Sequence, residues 1–411
     1  MHNRQNYLYV GVDLHKEHHT AVIINCWQEK LGEIQFDNKP SAFSKFLLEV
    51  ETYVSDGLSV VFGLEDVGGY GRALAKYLVD HERVVKEVNP ALSFLERKSE
   101  VMIKKNDSWD AECVVRILVS KFNQLPDAKP HDLFWSIQQL VSRRNALVKA
   151  QAALKNQLHI QLNHHYPSYK KFFSEIDGKT ALAFWQQYPS PSCLEGTNIK
   201  RLTAFLLDVS NNTCSVKKAS DILKLVKEDG QTMKEYQETR DFLVRSIVRD
   251  IVFKKQEMKY IERELKQLMN VLDYQLDTMP GIELVTASAL IAEIGDVRRF
   301  PNANKLARFA GIAPVYFGSG GKGKAHKSKQ GNRALHALFY NLAVQQVQVA
   351  KGSKMPRNPV FHAYYQKKLK EGKTKGQALV CIMRRLVNIV YGMMKYKTAY
   401  ELPVVEEKEV V

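Results

Sequence analysis

Apolar residues near the N-terminus cluster in short runs rather than at helical spacing. Residues 7–13 read Tyr-Leu-Tyr-Val-Gly-Val-Asp, a run of β-formers closed by an acid. Residues 19–26 and 31–36 continue as two further strands, separated by polar turns at 14–18 and 28–30. The spacing then changes. Residues 41–54 carry helical periodicity behind a serine at the cap. A fourth strand over 58–65 again closes on an acid, followed by a helix over 72–81, a strand over 83–88 and a helix over 107–122. Three strands in succession, then alternating helix and strand, predict an α/β domain with a mixed sheet.

The middle of the chain changes period. From Ile137, apolar residues recur at Leu140, Leu147, Leu154, Leu158 and Leu162, and a second series runs Ile247, Ile251, Met258, Ile261, Leu265, Leu268, Leu272. Steps of three, four and seven predict long helices with coiled-coil-like seams. Such helices either fold back as an antiparallel hairpin or pair protomers. Residues 165–235 between them carry no decisive pattern. From Met279 the stretch Pro280-Gly281-Ile282-Glu283-Leu284-Val285-Thr286-Ala287 predicts a glycine-containing hairpin leading into a helix. Backbone N–H groups at that helix start suit a phosphate, as in the helix-hairpin-helix DNA-binding element that the stretch resembles; a plain helical corner is the alternative. A loop over 315–332 follows, then helices over 333–348, 360–369 and 377–396 in a mainly α C-terminal domain. The predicted division is 1–125, 126–275 and 276–400.

Charge adds a partner to this picture. The chain's formal net charge is +16, and the 74 residues between Asp296 and Glu371 contain no aspartate or glutamate but 15 lysines and arginines. A surface of one sign is best matched by a polyanion, because each neutralised phosphate releases condensed counterions. Gly320, Gly321, Lys322, Lys324, Lys327, Lys329 and Arg333 are the nucleic-acid-binding candidates in this stretch, with Gly281. Five scattered cysteines without a C-x-x-C pair argue against a disulfide framework or a cysteine-rich zinc site, and fit a reducing cytoplasm. No run of 18 apolar residues predicts a membrane span, and the N-terminus shows no signal peptide.

Four carboxylates carry the candidate chemistry. Asp13 closes the first strand and Glu65 the fourth, at the strand ends where α/β sheets gather their sites. Asp107 and Asp110 stand three apart at a helix start, on one face. Singly, each has a structural role open to it: Asp107 as a helix cap, Asp110 beside the dipole, Asp13 and Glu65 as polar strand ends. Together they repel one another unless a divalent cation lies among them. Trp109 is expected in the core; His15, His18 and His19 could ligate a metal, but a turn beside a strand is expected to leave them exposed to solvent. Ser319, flanked by glycines and lysines, is either a nucleophile or part of a basic loop that clamps a phosphate backbone.

The order strand-Asp, strand-Glu, helical Asp-x-x-Asp is that of RNase H-like, RuvC-type nucleases. The chain resembles the DEDD transposases of the IS110 family, which include the Piv-type DNA invertases. The matching pieces are Gly11-Val12-Asp13-Leu14-His15-Lys16, Gly63-Leu64-Glu65-Asp66 and Asp107-Ser108-Trp109-Asp110-Ala111, then Pro280-Gly281-Ile282, Phe309-Ala310-Gly311-Ile312-Ala313-Pro314, Gly318-Ser319-Gly320-Gly321-Lys322 and Lys329-Gln330-Gly331-Asn332-Arg333. The likeness covers about 13–122 and 276–345. It implies a RuvC-like N-terminal domain that binds Mg²⁺, or Mn²⁺, through Asp13, Glu65, Asp107 and Asp110. It also implies a serine nucleophile in the C-terminal domain, best matched by Ser319, and a covalent phosphoserine intermediate on DNA. A guide non-coding RNA, a homodimer or homotetramer, an active site shared between protomers and a place on the bacterial nucleoid belong to the same expectation. Where relatives often carry two adjacent serines, Gly318 fills the first place here, which leaves Ser319 ahead of Ser328.

A DNA invertase of the same type, a RuvC-like nuclease that uses water, a sugar-kinase-like ATPase and a non-enzymatic DNA- or RNA-binding protein are the rival readings. The ATPase would need two further glycine-rich phosphate motifs, which the sequence lacks; the acids argue against a purely architectural protein. Neutralising Lys322, Lys324, Lys327 and Lys329 is expected to weaken nucleic-acid binding and to flatten its dependence on log salt by roughly 0.9 for each phosphate left unneutralised. A salt titration of binding with an unchanged slope would remove this loop from the binding surface.

Overall fold

The computed structural model describes residues 3–66, 69–99, 106–130, 133–232, 235–319, 322–326 and 330–401, with 315–319 and 322–326 described by their backbone. The chain divides into two compact units. The first comprises residues up to Ser136 together with Gly295–Pro301, and the second the remainder.

The first unit is a five-stranded sheet in the order β3-β2-β1-β4-β5. Its elements are β1 (Tyr7–Leu14), β2 (His18–Ile24), β3 (Lys30–Asp37), α1 (Pro40–Glu51), β4 (Ser59–Leu64), α2 (Arg72–Asp80), β5 (Val84–Glu87), α3 (Pro90–Arg97) and α4 (Asp107–Lys121). β1, β2 and β3 pair antiparallel, while β1, β4 and β5 pair parallel, so the sheet is mixed as expected. The helix α3 is not signalled by periodicity: of its eight residues only Ser93 is buried.

Strand alternation divides the core into two layers. Leu8, Val10 and Val12 of β1, with Phe62 and Leu64 of β4, pack against Phe43 and Phe46 of α1 and Leu74 and Leu78 of α2. Tyr9 and Val61 face the other way, against Ala111, Val114, Val115 and Leu118 of α4. Gly11 and Gly63 are register partners on this second face. A methyl group on Gly11 would lie 2.5 Å from the Ala111 carbonyl oxygen and 2.5 Å from the Val115 backbone nitrogen. On Gly63 it would meet Leu118 at 3.2 Å. At Gly11 the backbone of α4 thus lies directly on the sheet, and at Gly63 the Leu118 side chain packs into the bare position. α4 runs antiparallel to β1: Phe122, just past its end, stacks on Tyr7, and Ala111 and Val115 cover Gly11.

Asp296 fixes the separate segment Gly295–Pro301 within this unit. It is 8 % exposed, pairs with Lys129 at 3.1 Å and with Arg298 at 2.8 Å, and accepts from the Arg298 backbone at 2.9 Å. Burial raises its pKa, but the Arg298 and Lys129 hydrogen bonds outweigh burial and hold the carboxyl at about 2.

The second unit is helical apart from one hairpin. α5 (Leu133–His165) enters it from the first unit, followed by α6 (Lys179–Gln187), α7 (Ile199–Val209), α8 (Val216–Asp229) and α9 (Gln237–Leu272). α5 and α9 lie antiparallel in the one chain: Arg144 pairs with Glu262 at 2.8 Å, and Lys155 and Lys255 flank the buried Asp177 at 2.8 and 3.0 Å. The stretch 165–235 closes the far end of this pair. Tyr166, Phe172, Phe184 and Trp185 form its core with Leu158 and Leu162 of α5 and Val244, Val248 and Ile251 of α9.

Then come α10 (Leu284–Ile294), α11 (Ala303–Phe309), β6 (Val315–Ser319), β7 (Lys322–His326), α12 (Arg333–Val347), α13 (Pro359–Lys370) and α14 (Lys375–Tyr396). α14 packs against α11, α12 and α13 and supplies buried Ile382, Met383, Leu386, Val387 and Val390. The expected loop at 315–332 is in part an antiparallel two-stranded sheet. β6 opens with three β-formers, Val315-Tyr316-Phe317, but its partner β7, Lys-Gly-Lys-Ala-His, carries none of the apolar alternation that marks a strand in sequence.

Gly11→Val is expected to destabilise the first unit by about 2–3 kcal/mol, because the atoms it meets are helix backbone and have no rotamer by which to yield. Urea unfolding that shows less than about 0.5 kcal/mol of loss would mean that α4 lifts off the sheet at little cost.

Candidate active site

Three elements deliver four carboxylates to one end of the sheet. Asp13 follows Tyr9 and Gly11 on the α4 face of β1. Val12 and Leu64 are register partners, so Asp13 and Glu65 leave the parallel strands side by side. α4 starts at the same end. Its N-cap is Asn106, whose side chain accepts from the Trp109 backbone at 2.7 Å, so Asp107 is not needed as a cap. Asp107 and Asp110 occupy the first turn, and Trp109 between them is buried as expected.

The acids fall into two pairs, each bridged by a basic side chain. His15 Nε2 lies 2.9 Å from Asp13 and 3.4 Å from Asp107, and His18 Nε2 lies 3.6 Å from Asp107. Arg97, the last residue of α3, places Nη1 3.3 Å from Asp110 and 3.6 Å from Glu65. Asp13 has its pKa raised, first by burial and also by repulsion from Asp110 and Asp107, while His15 pulls the other way. His19 is fully buried, and burial pushes its imidazole down to about 4. Held neutral, its Nδ1 accepts the His15 backbone N–H at 3.2 Å and fixes the turn from which His15 projects.

This arrangement revises one expectation. The turn histidines are half-exposed, but His15 and His18 point at acids, and His19 is core. Asp13, His15 and Asp107 each offer a ligand atom, and these atoms lie within 4.8 Å of one another. Hard carboxylate oxygens and one imidazole nitrogen suit a divalent cation. Arg97 is the site residue that sequence spacing missed, and His15 the one that its place in a turn argued against. Arg97 sits in Glu96-Arg97-Lys98, an ordinary charged run with no motif around it.

The remaining candidates belong to the second unit. Ser319 ends β6, with Lys322 its register partner; Lys324 pairs with Phe317. Gly320, Gly321, Lys327, Ser328 and Lys329 lie outside the described residues. The hairpin is held at its base by Gly311 and Gly331, whose backbones touch. A Cβ on Gly331 would fall 2.6 Å from the Gly311 nitrogen, and the Asn332 N–H donates to the Phe309 carbonyl at 2.7 Å. Asn332 then caps α12 through the Leu335 N–H at 2.9 Å and donates to Glu293 at 2.6 Å, which leaves Arg333 exposed as the first residue of the helix. Gly281 has φ +87° and packs against Gln345 and Gln346 of α12, with Gln346 donating to the Pro280 carbonyl. Close packing in the corner before α10 accounts for this glycine.

A mixed sheet with acids at its strand ends, followed by a mostly helical remainder, fits an RNase H-like DEDD transposase. Comparison with known proteins carries this further. Residues 10–167 match the DEDD transposase family of IS110 type, and residues 273–366 match the family described as Transposase IS116/IS110/IS902. Together the two matches take in more than half of the 411 residues, and the chain belongs to the IS110 family of transposases. It is 25 % identical to the insertion element IS116 uncharacterized 44.8 kDa protein of Streptomyces clavuligerus, over 97 % of this chain and 98 % of that one. It is likewise 25 % identical to the pilin gene-inverting protein of Moraxella lacunata, over 96 % of this chain and 97 % of the relative. Membership of this family makes the chain a DNA-recombining enzyme with use for a divalent metal. No helix among the described residues is long and apolar enough to cross a membrane.

Asp13→Asn is expected to abolish recombination and any rise in melting temperature on adding Mg²⁺, while the metal-free melting temperature stays level or increases. The sign follows from the raised pKa: the ionised form of Asp13 is disfavoured by folding, so removing its charge costs the fold nothing. Thermal unfolding with and without Mg²⁺ checks this, and a metal-induced shift that survives the substitution would remove Asp13 from the metal site.

Proposed function

We propose that this transposase cuts and rejoins DNA through a phosphoserine intermediate formed on Ser319, with Mg²⁺ held by Asp13, Glu65, Asp107 and Asp110. The observation that carries the reading is the gathering of these four carboxylates at the shared end of β1, β4 and α4. A divalent ion bound there supplies Lewis acidity toward a phosphodiester oxygen. Ser319 supports the nucleophile assignment by its place at the end of β6, opposite Lys322 in a strand pair anchored by Gly311 and Gly331. Attack by its Oγ forms one O–P bond and breaks another; the serine proton is lost and the departing sugar oxygen gains one. The number of phosphoester bonds is conserved, so religation requires no nucleotide cofactor.

The basic residues of the C-terminal stretch serve double-stranded DNA at element ends and target, through Gly281, Gly320, Gly321, Lys322, Lys324, Lys327, Lys329 and Arg333. We assign target choice to a guide non-coding RNA. The active form is a homodimer or homotetramer, consistent with exposed Phe242, Phe253, Tyr260 and Val271 along α9. In this division residues 1–125 hold the acids, 126–275 pair protomers and 276–400 carry the serine. Site-specific inversion is the second reading, favoured by the full-length match to a pilin gene-inverting protein.

The deciding experiment combines purified protein, its co-purifying RNA, Mg²⁺ and DNA spanning an element junction, followed by a denaturing gel and mapping of the linked peptide. A covalent adduct at Ser319, absent in Ser319→Ala and in chelator, is the expected result. Cleaved DNA with no adduct would instead assign hydrolysis by water and reduce Ser319 to a backbone clamp.

A further inference from the structure

The acidic centre is not uniform. One half, Asp13 with Asp107, is bridged by an imidazole that can donate a nitrogen to a metal. The other half, Glu65 with Asp110, is bridged by a guanidinium that cannot. Arg97 Nη1 reaches both carboxylates, at 3.6 and 3.3 Å, and the three side chains are only 20–28 % exposed. Arginine stays charged at any accessible pH and has no lone pair to offer, so it competes with a cation for the same two carboxylates.

We propose that the metal centre is divided: Asp13, His15 and Asp107 form the single ion site of the free protein, and Arg97 fills the Glu65–Asp110 half as a built-in cation. This rests on the reading of the acids as a metal centre and specifies how that centre is occupied. Two further observations support the division. The three ligand atoms of the first half lie within 4.8 Å of one another, whereas no group that includes Glu65 or Asp110 comes so close together among the described residues. His15 is also held for the task, because the buried His19 accepts its backbone N–H at 3.2 Å. An imidazole in the ligand set moves preference from Mg²⁺, which favours oxygen and water, toward Mn²⁺ and later divalent ions. A second ion has room only once Arg97 leaves its carboxylates, and a DNA phosphate is an anion able to draw it away.

The test is Mn²⁺ binding to the full chain without DNA, read by calorimetry and by the free-ion spin-resonance signal. Wild type is expected to take up one tight ion per chain, Arg97→Gln two, and the charge-preserving Arg97→Lys one. His15→Ala should lower the affinity of the single site roughly tenfold or more, and Mn²⁺ should bind wild type more tightly than Mg²⁺. Two equivalent ions in wild type, a measurement that needs no variant, would overturn the division. So would a single ion in a folded Arg97→Gln, or an unchanged affinity in His15→Ala. Binding that survives Asp13→Asn would overturn the metal-centre reading itself, a result distinct from a wrong count.

Discussion

Everything at the acidic centre depends on how closely α4 approaches the sheet. Helices usually rest on strands through a layer of side chains. Here Gly11 removes that layer, so that the helix backbone at Ala111 and Val115 sits on the strand backbone, while its register partner Gly63 receives the Leu118 side chain close against the sheet. The sheet places Asp13 and Glu65 one pleat further along the same face. The helix, antiparallel to β1, places its first turn above them. Asp107 and Asp110 come down to the strand acids because a side chain is missing beneath α4 at Gly11. The glycine of Gly11-Val12-Asp13 and the acid belong to one device.

The same means recurs in the second unit. Gly311 and Gly331 come from segments on either side of the β6–β7 hairpin; Gly311 occupies space that a Cβ on Gly331 would need, and the Gln330 carbonyl oxygen occupies that of a Cβ on Gly311. Their contact, with the hydrogen bond from Asn332 to Phe309, sets the base from which Ser319 is carried. In both units a backbone-to-backbone contact at glycine positions these segments, which leaves little freedom for drift. The acids also do not wait as bare anions. His15, His18 and Arg97 lie against them and compensate part of their charge.

The first unit is legible in the sequence because its strands are short runs of β-formers closed by turns and acids, and all five appear within two residues of the predicted limits. The acids are legible for the same reason: a charged residue at the end of an apolar strand is a local signal. Other features depend on contacts that no local pattern encodes. α3 is only two turns long and fully buries only Ser93, too short a stretch for an apolar stripe to stand out. Arg97 acts through its distance to Glu65 and Asp110, which lie 32 and 13 residues away in sequence. His15 reads as a surface histidine because the buried His19 that aims it is indistinguishable from it in sequence. The 165–235 stretch folds around Tyr166, Phe172, Phe184 and Trp185, whose irregular spacing matches neither a helical nor a strand period.

Chain routing decides how such a protein can be taken apart. The first unit is not a continuous length of chain: it ends at Ser136 and resumes for seven residues at Gly295–Pro301. Within that return, the buried carboxylate of Asp296 is the partner of Lys129. A fragment cut after the sheet would leave that ammonium without its counter-ion and α4's half of the molecule without its last piece. The first unit is therefore an insertion-type module with two junctions. Exchange between relatives, in the laboratory or in the evolution of mobile elements, has to carry the short return segment along with the sheet, or replace both together.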